Sequence, residues 1–135
     1  MRILGIDYGD VRTGIAVSDE SAFIATPLKT HKVKSMRETI DYVASVAKEY
    51  NVEKIVVGLP LNMDGSEGVR CQKTRTFGKV LQRVCGIEVL YVDERLTSAE
   101  AEEILKEGKV NLRKNKELVD SMAARLILQS YLDCK

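Results

Sequence analysis

The chain has 135 residues, of which 44% are hydrophobic and 30% are charged, and its formal net charge is +1. This is an ordinary globular composition, and no apolar run approaches the roughly 18 residues that a membrane-spanning helix needs. Asp7 and Asp10 interrupt the apolar N-terminal segment, which argues against a signal peptide, and three cysteines without a C-x-x-C pair argue against a disulfide framework or a zinc cluster. We expect one domain over residues 1–135, no membrane association and a cytoplasmic location.

Three short apolar runs rich in β-favouring residues open the chain. They are residues 2–8, 12–18 and 23–28, and a glycine–aspartate turn between the first two predicts a hairpin. Pro27 indicates that the third strand lies at a sheet edge, because proline has no N–H to donate to a neighbouring strand. Ser35 followed by Glu38 has the spacing of a capping box and predicts the start of a helix.

The second half of the chain alternates strand and helix patterns. The runs KIVVGL and IEVLYV are typical of strands buried on both faces, and a helix ending at Gly86 is predicted between them. A second capping box predicts a short helix from Thr97 to Gly108. A last helix is predicted from about Asn115 to Leu132, with an apolar stripe through Val119, Met122, Ala123, Leu126 and Ile127. This order predicts an α/β fold in which a mixed sheet carries helices on both faces.

Carboxylates follow the first and last predicted strands and recur on the last helix. Asp7 ends the first strand, Asp93 and Glu94 end the last strand, and Asp120 lies near the apolar stripe of the last helix. Ligands in open α/β sheets bind beyond the carboxyl ends of the strands, and converging carboxylates need a counter-charge. Oxygen ligands without histidine or thiolate suit Mg²⁺ or Mn²⁺, and two such ions promote phosphodiester hydrolysis.

Each of these acids also has a structural interpretation. Asp7 can cap the turn at Gly9, Asp93 can pair with Arg95, and Asp120 can be a solvated helix residue. The spacing of the acids leaves both interpretations open.

Basic residues gather in three acid-poor segments although the net charge is near zero. Such segments neutralise phosphates, although solvated helix faces and loops have the same composition. The segments contain Lys29, His31, Lys32, Lys34 and Arg37, then Arg70, Lys73, Arg75, Lys79 and Arg83, then Lys106, Lys109, Arg113, Lys114 and Lys116. The residues that we expect to contact nucleic acid are Arg12, Asn62, Lys73, Arg75, Arg95, Arg113 and Lys114.

Four motifs give the chain a resemblance to a known family. GIDYGDVRTGIAVSD, GLPLNMDG, VDERLTS and VDSMAARLILQSYL occur in the order of the motifs of the YqgF family, and the resemblance covers nearly the whole chain. The resemblance implies a ribonuclease-H-like fold with a mixed five-stranded sheet, whose first three strands are antiparallel and whose last two are parallel to the first. It also implies that Asp7, Glu94 and Asp120 are the catalytic, metal-binding acids, with Asp93 the weaker candidate of its pair.

The resemblance implies a nuclease that uses Mg²⁺ or Mn²⁺, with two ions, on structured nucleic acid. Members of the family are described as nucleases that mature the precursor of 16S ribosomal RNA or as Holliday junction resolvases. The first activity is the leading hypothesis. The alternative is a resolvase that cuts branched DNA as a dimer, and we therefore expect a monomer or a weak homodimer.

Two other classes remain open from the sequence. One is a nucleic-acid-binding module without catalysis. The other is a phosphotransferase of the actin-like or sugar-kinase type, because the spacing of Asp7, Gly9, Thr13 and Gly14 resembles a phosphate loop.

Overall fold

The computed structural model describes residues 1–94 and 116–134, and that part of the chain contains six strands and three helices. None of these helices is long and apolar enough to cross a membrane. The short helix predicted from Thr97 to Gly108 lies outside the described residues. The elements are β1 (Arg2–Asp7), β2 (Arg12–Ser18), β3 (Ala25–Pro27), β4 (His31–Lys32), α1 (Met36–Glu49), β5 (Val52–Leu59), α2 (Val69–Cys85), β6 (Glu88–Asp93) and α3 (Lys116–Cys134).

The strands form one mixed sheet in the order β3-β2-β1-β5-β6. The pairs β1–β2 and β2–β3 are antiparallel, whereas β1–β5 and β5–β6 are parallel. The prediction of five strands, with the last two parallel to the first, is confirmed along this path. Pro27 lies in β3 at the edge of the sheet, as predicted from its lack of an N–H donor.

The prediction missed strand β4, because it placed His31 and Lys32 only in a basic segment. It has two residues and pairs with the start of β2, with Lys32 opposite Arg12 and His31 opposite Thr13. The backbone N–H of Val33 also donates to the carbonyl of Val11 at 2.8 Å. A strand of two residues is too short to show an alternation of polar and apolar side chains. Only its pairing with β2 therefore identifies β4 as a strand.

Side chains alternate between two hydrophobic layers along β1. Leu4 and Ile6 pack in the layer that contains α1 and α2, whereas Ile3 packs in the layer that contains α3. Successive residues of a strand point to opposite faces, so Gly5 and Asp7 share the α3 face with Ile3. The expected helices on both faces are confirmed, and the acid that ends β1 faces α3.

The predicted apolar stripe of α3 was only partly right. Ala123, Ala124, Ile127, Leu128 and Leu132 are buried, whereas Val119, Met122 and Leu126 are only half-buried. Apolar residues surround this helix, so helical periodicity does not select one face.

Sheet glycines decide which face of α3 is buried. A Cβ atom at Gly5 would lie 2.6 Å from Leu128 Cβ, and one at Gly14 would collide with the carbonyl oxygen of Asp120. The glycines therefore let the backbone of α3 lie directly on β1 and β2, close to the end of β1 that carries Asp7.

Candidate active site

Three carboxylates that the sequence singled out come together at one edge of the sheet. Asp7 is the last residue of β1, Glu94 directly follows β6, and Asp120 lies in the second turn of α3. Asp7 and Glu94 share a side-chain hydrogen bond, and the negative charge of Asp120 is close enough to raise the pKa of Asp7. The parallel alignment of β1, β5 and β6 brings the first two acids together, because these strands end at the same edge.

The pleat of β6 distinguishes Glu94 from its neighbour Asp93. Tyr91 packs with the α1–α2 layer and Val92 with the α3 layer, so continued alternation directs Glu94 to the face that Asp7 occupies. The backbone N–H of Glu94 donates to the carbonyl of Leu59 at 3.2 Å and holds Glu94 beside the end of β5. This geometry agrees with Glu94, rather than Asp93, as the site acid.

Gly58 provides the space that the Glu94 carboxylate occupies. A Cβ atom at Gly58 would lie 2.7 Å from Glu94 Oε2 and 3.1 Å from its Cδ, and it would also collide with Cδ1 of Ile127. Any side chain on this residue would therefore displace Glu94 or the helix above it. Gly58 was not recognised in the sequence as a site residue, because its role appears only when β5, β6 and α3 are assembled.

Burial and mutual repulsion control the protonation of the two innermost acids. Burial, then the charge of Asp7, then the hydrogen bond to Asp7 raise the pKa of Glu94 to about 9. Burial also raises the pKa of Asp7, although the hydrogen bond from Glu94 opposes the increase. Its raised pKa keeps Glu94 protonated at neutral pH, and the proton lies in the hydrogen bond that Glu94 makes with Asp7. Paired buried carboxylates behave in this way when no cation balances them.

Two arginines supply positive charge to the acids. Arg12 Nε donates to Asp120 Oδ2 at 2.7 Å, and both side chains are about one-quarter exposed. Arg70, in the first turn of α2, lowers the pKa of both Asp7 and Glu94 by its charge, while its residue remains exposed to solvent. The sequence placed Arg70 only in a basic segment. Its place after the loop that leaves β5 was the available signal, because that loop emerges at the ligand-binding edge.

The donor atoms at this edge suit a hard divalent cation. Asp7, Glu94 and Asp120 offer only carboxylate oxygens, and such oxygens are the preferred ligands of Mg²⁺ and Mn²⁺. Among residues 1–94 and 116–134, however, no group of three potential ligands is close enough to enclose an ion as arranged. Asp120 is held by Arg12, and a proton lies between Asp7 and Glu94. Metal binding would therefore require release of that proton and a shift of Asp120 toward the pair.

Besides Arg12, three residues predicted to contact nucleic acid already have partners within the protein. Lys73 Nζ lies 3.4 Å from Asp10 Oδ1, and Arg75 donates twice to Glu67 at 2.7 and 2.8 Å. Asn62 organises the loop after β5, where its side chain donates to Ser66 Oγ at 3.0 Å. Arg95, Arg113 and Lys114 lie outside the described residues.

The fold is shared with solved resolvases. Thermus thermophilus RuvC, solved with a Holliday junction substrate, superposes with a TM-score of 0.61 at 18% identity, covering 98% of this chain and 94% of that one. The fowlpox virus resolvase, solved with Holliday junction DNA, gives a TM-score of 0.62 at 16% identity, covering 98% and 97%. The sheet order and these similarities define a ribonuclease-H-like fold of the resolvase type, as predicted.

Similarity of sequence then identifies the family. The RuvX family, described as Holliday junction resolvase, matches residues 1–134. A Syntrophus aciditrophicus protein is 50% identical over 133 residues, covering 98% of this chain and 89% of that protein, and a Bacillus cytotoxicus protein is 44% identical over the full length of both. Both are provisionally named pre-16S rRNA nuclease. The chain belongs to the RuvX family, also called YqgF, and is a nuclease, which confirms the identification made from its motifs.

Proposed function

We propose that this protein is a divalent-metal-dependent nuclease that hydrolyses phosphodiester bonds in structured nucleic acid and processes the precursor of 16S ribosomal RNA. The observation that carries the proposal is the buried Asp7–Glu94 pair, with Asp120 beside it, at the ligand-binding edge of the sheet. A buried pair that must retain a proton is destabilised when both acids ionise, and a divalent cation removes that penalty. The three carboxylates are therefore unstable when all are ionised without a cation, and a bound cation would stabilise their ionised forms.

Asp7, Glu94 and Asp120 would hold the cation. Bound Mg²⁺ or Mn²⁺, as one ion or a pair, supplies an activated water and balances the charge of the phosphate during hydrolysis. Glu94 must first lose the proton that it donates to Asp7. In the metal-free site Glu94 is consequently protonated. Nuclease activity should rise with pH, because Glu94 must lose its proton before it can bind the metal.

The two arginines of the site have different proposed roles. Arg12 is paired with Asp120 and positions that acid, and its guanidinium would be free to bind phosphate if Asp120 held the cation. Arg70 is exposed and its charge acts on both inner carboxylates, so its guanidinium is close enough to help bind a phosphate held beside them. A guanidinium binds phosphate through two parallel hydrogen bonds, which also fixes the orientation of the phosphate.

The choice of substrate rests on the relatives. Proteins that are 44–50% identical carry the name pre-16S rRNA nuclease, which supports the ribosomal RNA precursor as the substrate. The description of the RuvX family supports a second candidate, the resolution of branched DNA. We propose that residues 1–135 form one nuclease domain, which acts on the RNA as a monomer or a weak homodimer.

Cleavage assays with matched acid variants test the proposal. Wild type, Asp7→Asn and Asp10→Asn are incubated with precursor 16S RNA and with a four-way DNA junction, in Mg²⁺, in Mn²⁺ and in EDTA. Asp10 is the control, because it is an exposed acid three residues away that pairs with Lys73. We expect metal-dependent cleavage by wild type and by Asp10→Asn, and a loss of at least about 100-fold in Asp7→Asn, the scale of removing one group that stabilises the charge of a transition state.

The possible outcomes test the role of Asp7 and the choice of substrate separately. Equal cleavage by Asp7→Asn and wild type would remove Asp7 from the mechanism. Paired symmetric cuts in the junction, with a dimer seen by light scattering on that DNA, would favour the resolvase. A protein that stays monomeric on the junction would count against junction resolution, because two-fold-related cuts require two active sites.

A further inference from the structure

A basic pocket lies at the sheet edge beside β2, where neither the acids nor the predicted nucleic-acid contacts are placed. It is a cavity of about 530 Å³ between β4 and the first half of α1. We call it the β4 pocket, and the residues that line it are Lys29, Thr30, His31, Lys32, Lys34, Glu38 and Tyr42. Glu38 is its one acidic residue, so the pocket has a strong excess of positive charge.

The β4 pocket is joined to the active site through ordered contacts. In the pairing of β4 with β2, Lys32 lies directly opposite Arg12, and Arg12 is bound to Asp120. The pocket is also fixed to α3, because Thr30 Oγ1 and Ser121 Oγ are 2.6 Å apart and Ser121 directly follows Asp120. These contacts fix the backbone that carries the three lysines relative to the acids.

The lysines of the β4 pocket remain available for a ligand. Lys29, Lys32 and Lys34 are exposed, and none forms an ion pair with another described residue. His31 is stacked on Tyr42 with ring centroids 4.4 Å apart. Its Nε2 atom is buried and has no hydrogen-bond partner, since the nearest acid, Glu38, is 3.8 Å away.

We propose that the β4 pocket binds a backbone phosphate of the substrate strand a few nucleotides from the bond that is cut. This inference rests on the proposed nuclease function and adds the path of the strand, from the acids past Arg12 to the three lysines. Directly opposed residues of antiparallel strands have Cα atoms about 4.5 to 5.5 Å apart, so Lys32 is a near neighbour of Arg12. The lysines neutralise the phosphate, while the His31 ring, stacked on Tyr42, forms part of the pocket wall.

Such a contact explains how a small domain holds its substrate. Contacts to phosphates position a nucleic acid without reading its sequence, and most of the affinity of such complexes comes from neutralised phosphates. Lys73 and Arg75 already pair with acids, so among the described basic segments the β4 segment has the most unpaired charge facing one cavity. The β4 pocket thus places a second anchoring point on the strand beyond the candidate active site.

Salt titration of nucleic-acid binding tests this inference independently of cleavage. The double variant Lys32→Ala, Lys34→Ala is compared with wild type and with the control Lys48→Ala, Lys54→Ala. The control removes the same charge from lysines in the last turn of α1 and near the start of β5, the end of that strand opposite the acids. Binding of a fluorescent single-stranded RNA from precursor 16S RNA is measured in EDTA by anisotropy, over a series of salt concentrations.

We expect the β4-pocket variant to bind more weakly at low salt and to show a shallower salt dependence. Loss of one or two phosphate contacts lowers the slope of log K against log salt by about 0.7 to 1.4, since each contact to a single strand contributes about 0.7. The control should keep the wild-type slope.

Three results would overturn the inference. The first is a slope for the β4-pocket variant equal to that of the control. The second is a wild type that does not bind the RNA. The third is RNA binding that is unchanged in the variant while binding to phosphatidylserine vesicles is lost, which would assign the pocket to membrane headgroups.

Cleavage assays with Mg²⁺ separate this inference from the proposed function. The β4-pocket variant should show a rise in KM that is larger than its fall in kcat. If wild type binds RNA with the expected slope but cuts nothing, the nuclease proposal fails and the phosphate contact stands. If wild type cuts and the variant keeps its KM, the phosphate contact fails alone.

Discussion

Substitution of Gly58 by alanine is the most direct test of how the site is built. The added Cβ would lie 2.7 Å from Glu94 Oε2, so the carboxylate must move by about 0.7 Å to reach the 3.4 Å of an ordinary contact. Ile127 must move as well. Alanine would otherwise favour a strand over glycine by roughly 0.5 to 1 kcal/mol, so any destabilisation comes from these contacts. We expect Gly58→Ala to be less stable by about 1 to 3 kcal/mol, the usual cost of overpacking.

The displacement should reduce activity more than stability. A misplacement of about 1 Å in an active-site group can lower the rate by about 100-fold, and a 0.7 Å shift of Glu94 predicts a loss between about 10- and 100-fold. The assay is metal-dependent cleavage of precursor 16S RNA at a temperature well below the unfolding midpoint of the variant. Urea unfolding of the same samples measures the free energy of unfolding.

Gly68→Ala is the matched control. An added Cβ at Gly68 would lie 3.5 Å from the side chain of Asn62, which is an ordinary contact, and its backbone is in the extended region at the start of α2. We expect its stability to change by less than about 1 kcal/mol, the scale of an N-cap change, and its activity to match wild type. If Gly58→Ala cuts as fast as wild type and is as stable, the placement of Glu94 against Gly58 is wrong.

Three further substitutions follow from the same geometry. In EDTA the unfolded chain releases the Glu94 proton near pH 4.5, whereas the folded protein releases it near pH 9. The free energy of unfolding should therefore fall as the pH rises between these values, by up to about 1.4 kcal/mol per pH unit. Urea titrations at a series of pH values should show a smaller dependence on pH in Glu94→Gln than in wild type. Arg12→Ala leaves Asp120 without its part-buried partner and should lower the free energy of unfolding by about 1 to 3 kcal/mol. Lys73→Ala breaks an exposed ion pair and should lower it by less than about 1 kcal/mol. Equal losses in the two variants would contradict the pairing of Arg12 with Asp120. Gly14→Ala forces α3 off the sheet and should lower the thermal midpoint more than either, and an unchanged midpoint would mean that α3 does not lie on β2.

Local patterns predicted much of the fold, and they predicted the acids by position. β1, β2, β5 and β6 are apolar runs of strand length, and the Ser35 cap of α1 is confirmed by its hydrogen bond from the Glu38 N–H at 3.1 Å. A carboxylate at the end of a buried strand is recognisable because burial makes its charge costly. Position therefore singled out Asp7, Asp93 and Glu94, and the family resemblance selected Asp7 and Glu94 as metal ligands, which stays a prediction.

Features that depend on contacts between distant segments were missed or assigned incompletely. Arg70 lies 63 residues after Asp7, and its charge matters only because α2 begins at the same sheet edge. The pairing of Arg12 with Asp120 joins residues 108 positions apart. The sequence offered both arginines as basic residues, and their partners depend on how the helices approach the sheet.

By itself the sequence determined the family and most of the order of the described strands and helices, and it predicted Asp7, Glu94 and Asp120 as the site acids, because motifs and periodicity are properties of neighbouring residues. Only the tertiary structure decided how close these acids come and in what state of protonation they meet. Three sheet glycines, Gly5, Gly14 and Gly58, allow α3 and Glu94 to approach the sheet, and that approach removes water from the Asp7–Glu94 pair. Desolvation depends on every group around a charge, so the raised pKa of Glu94 exists only in the assembled fold.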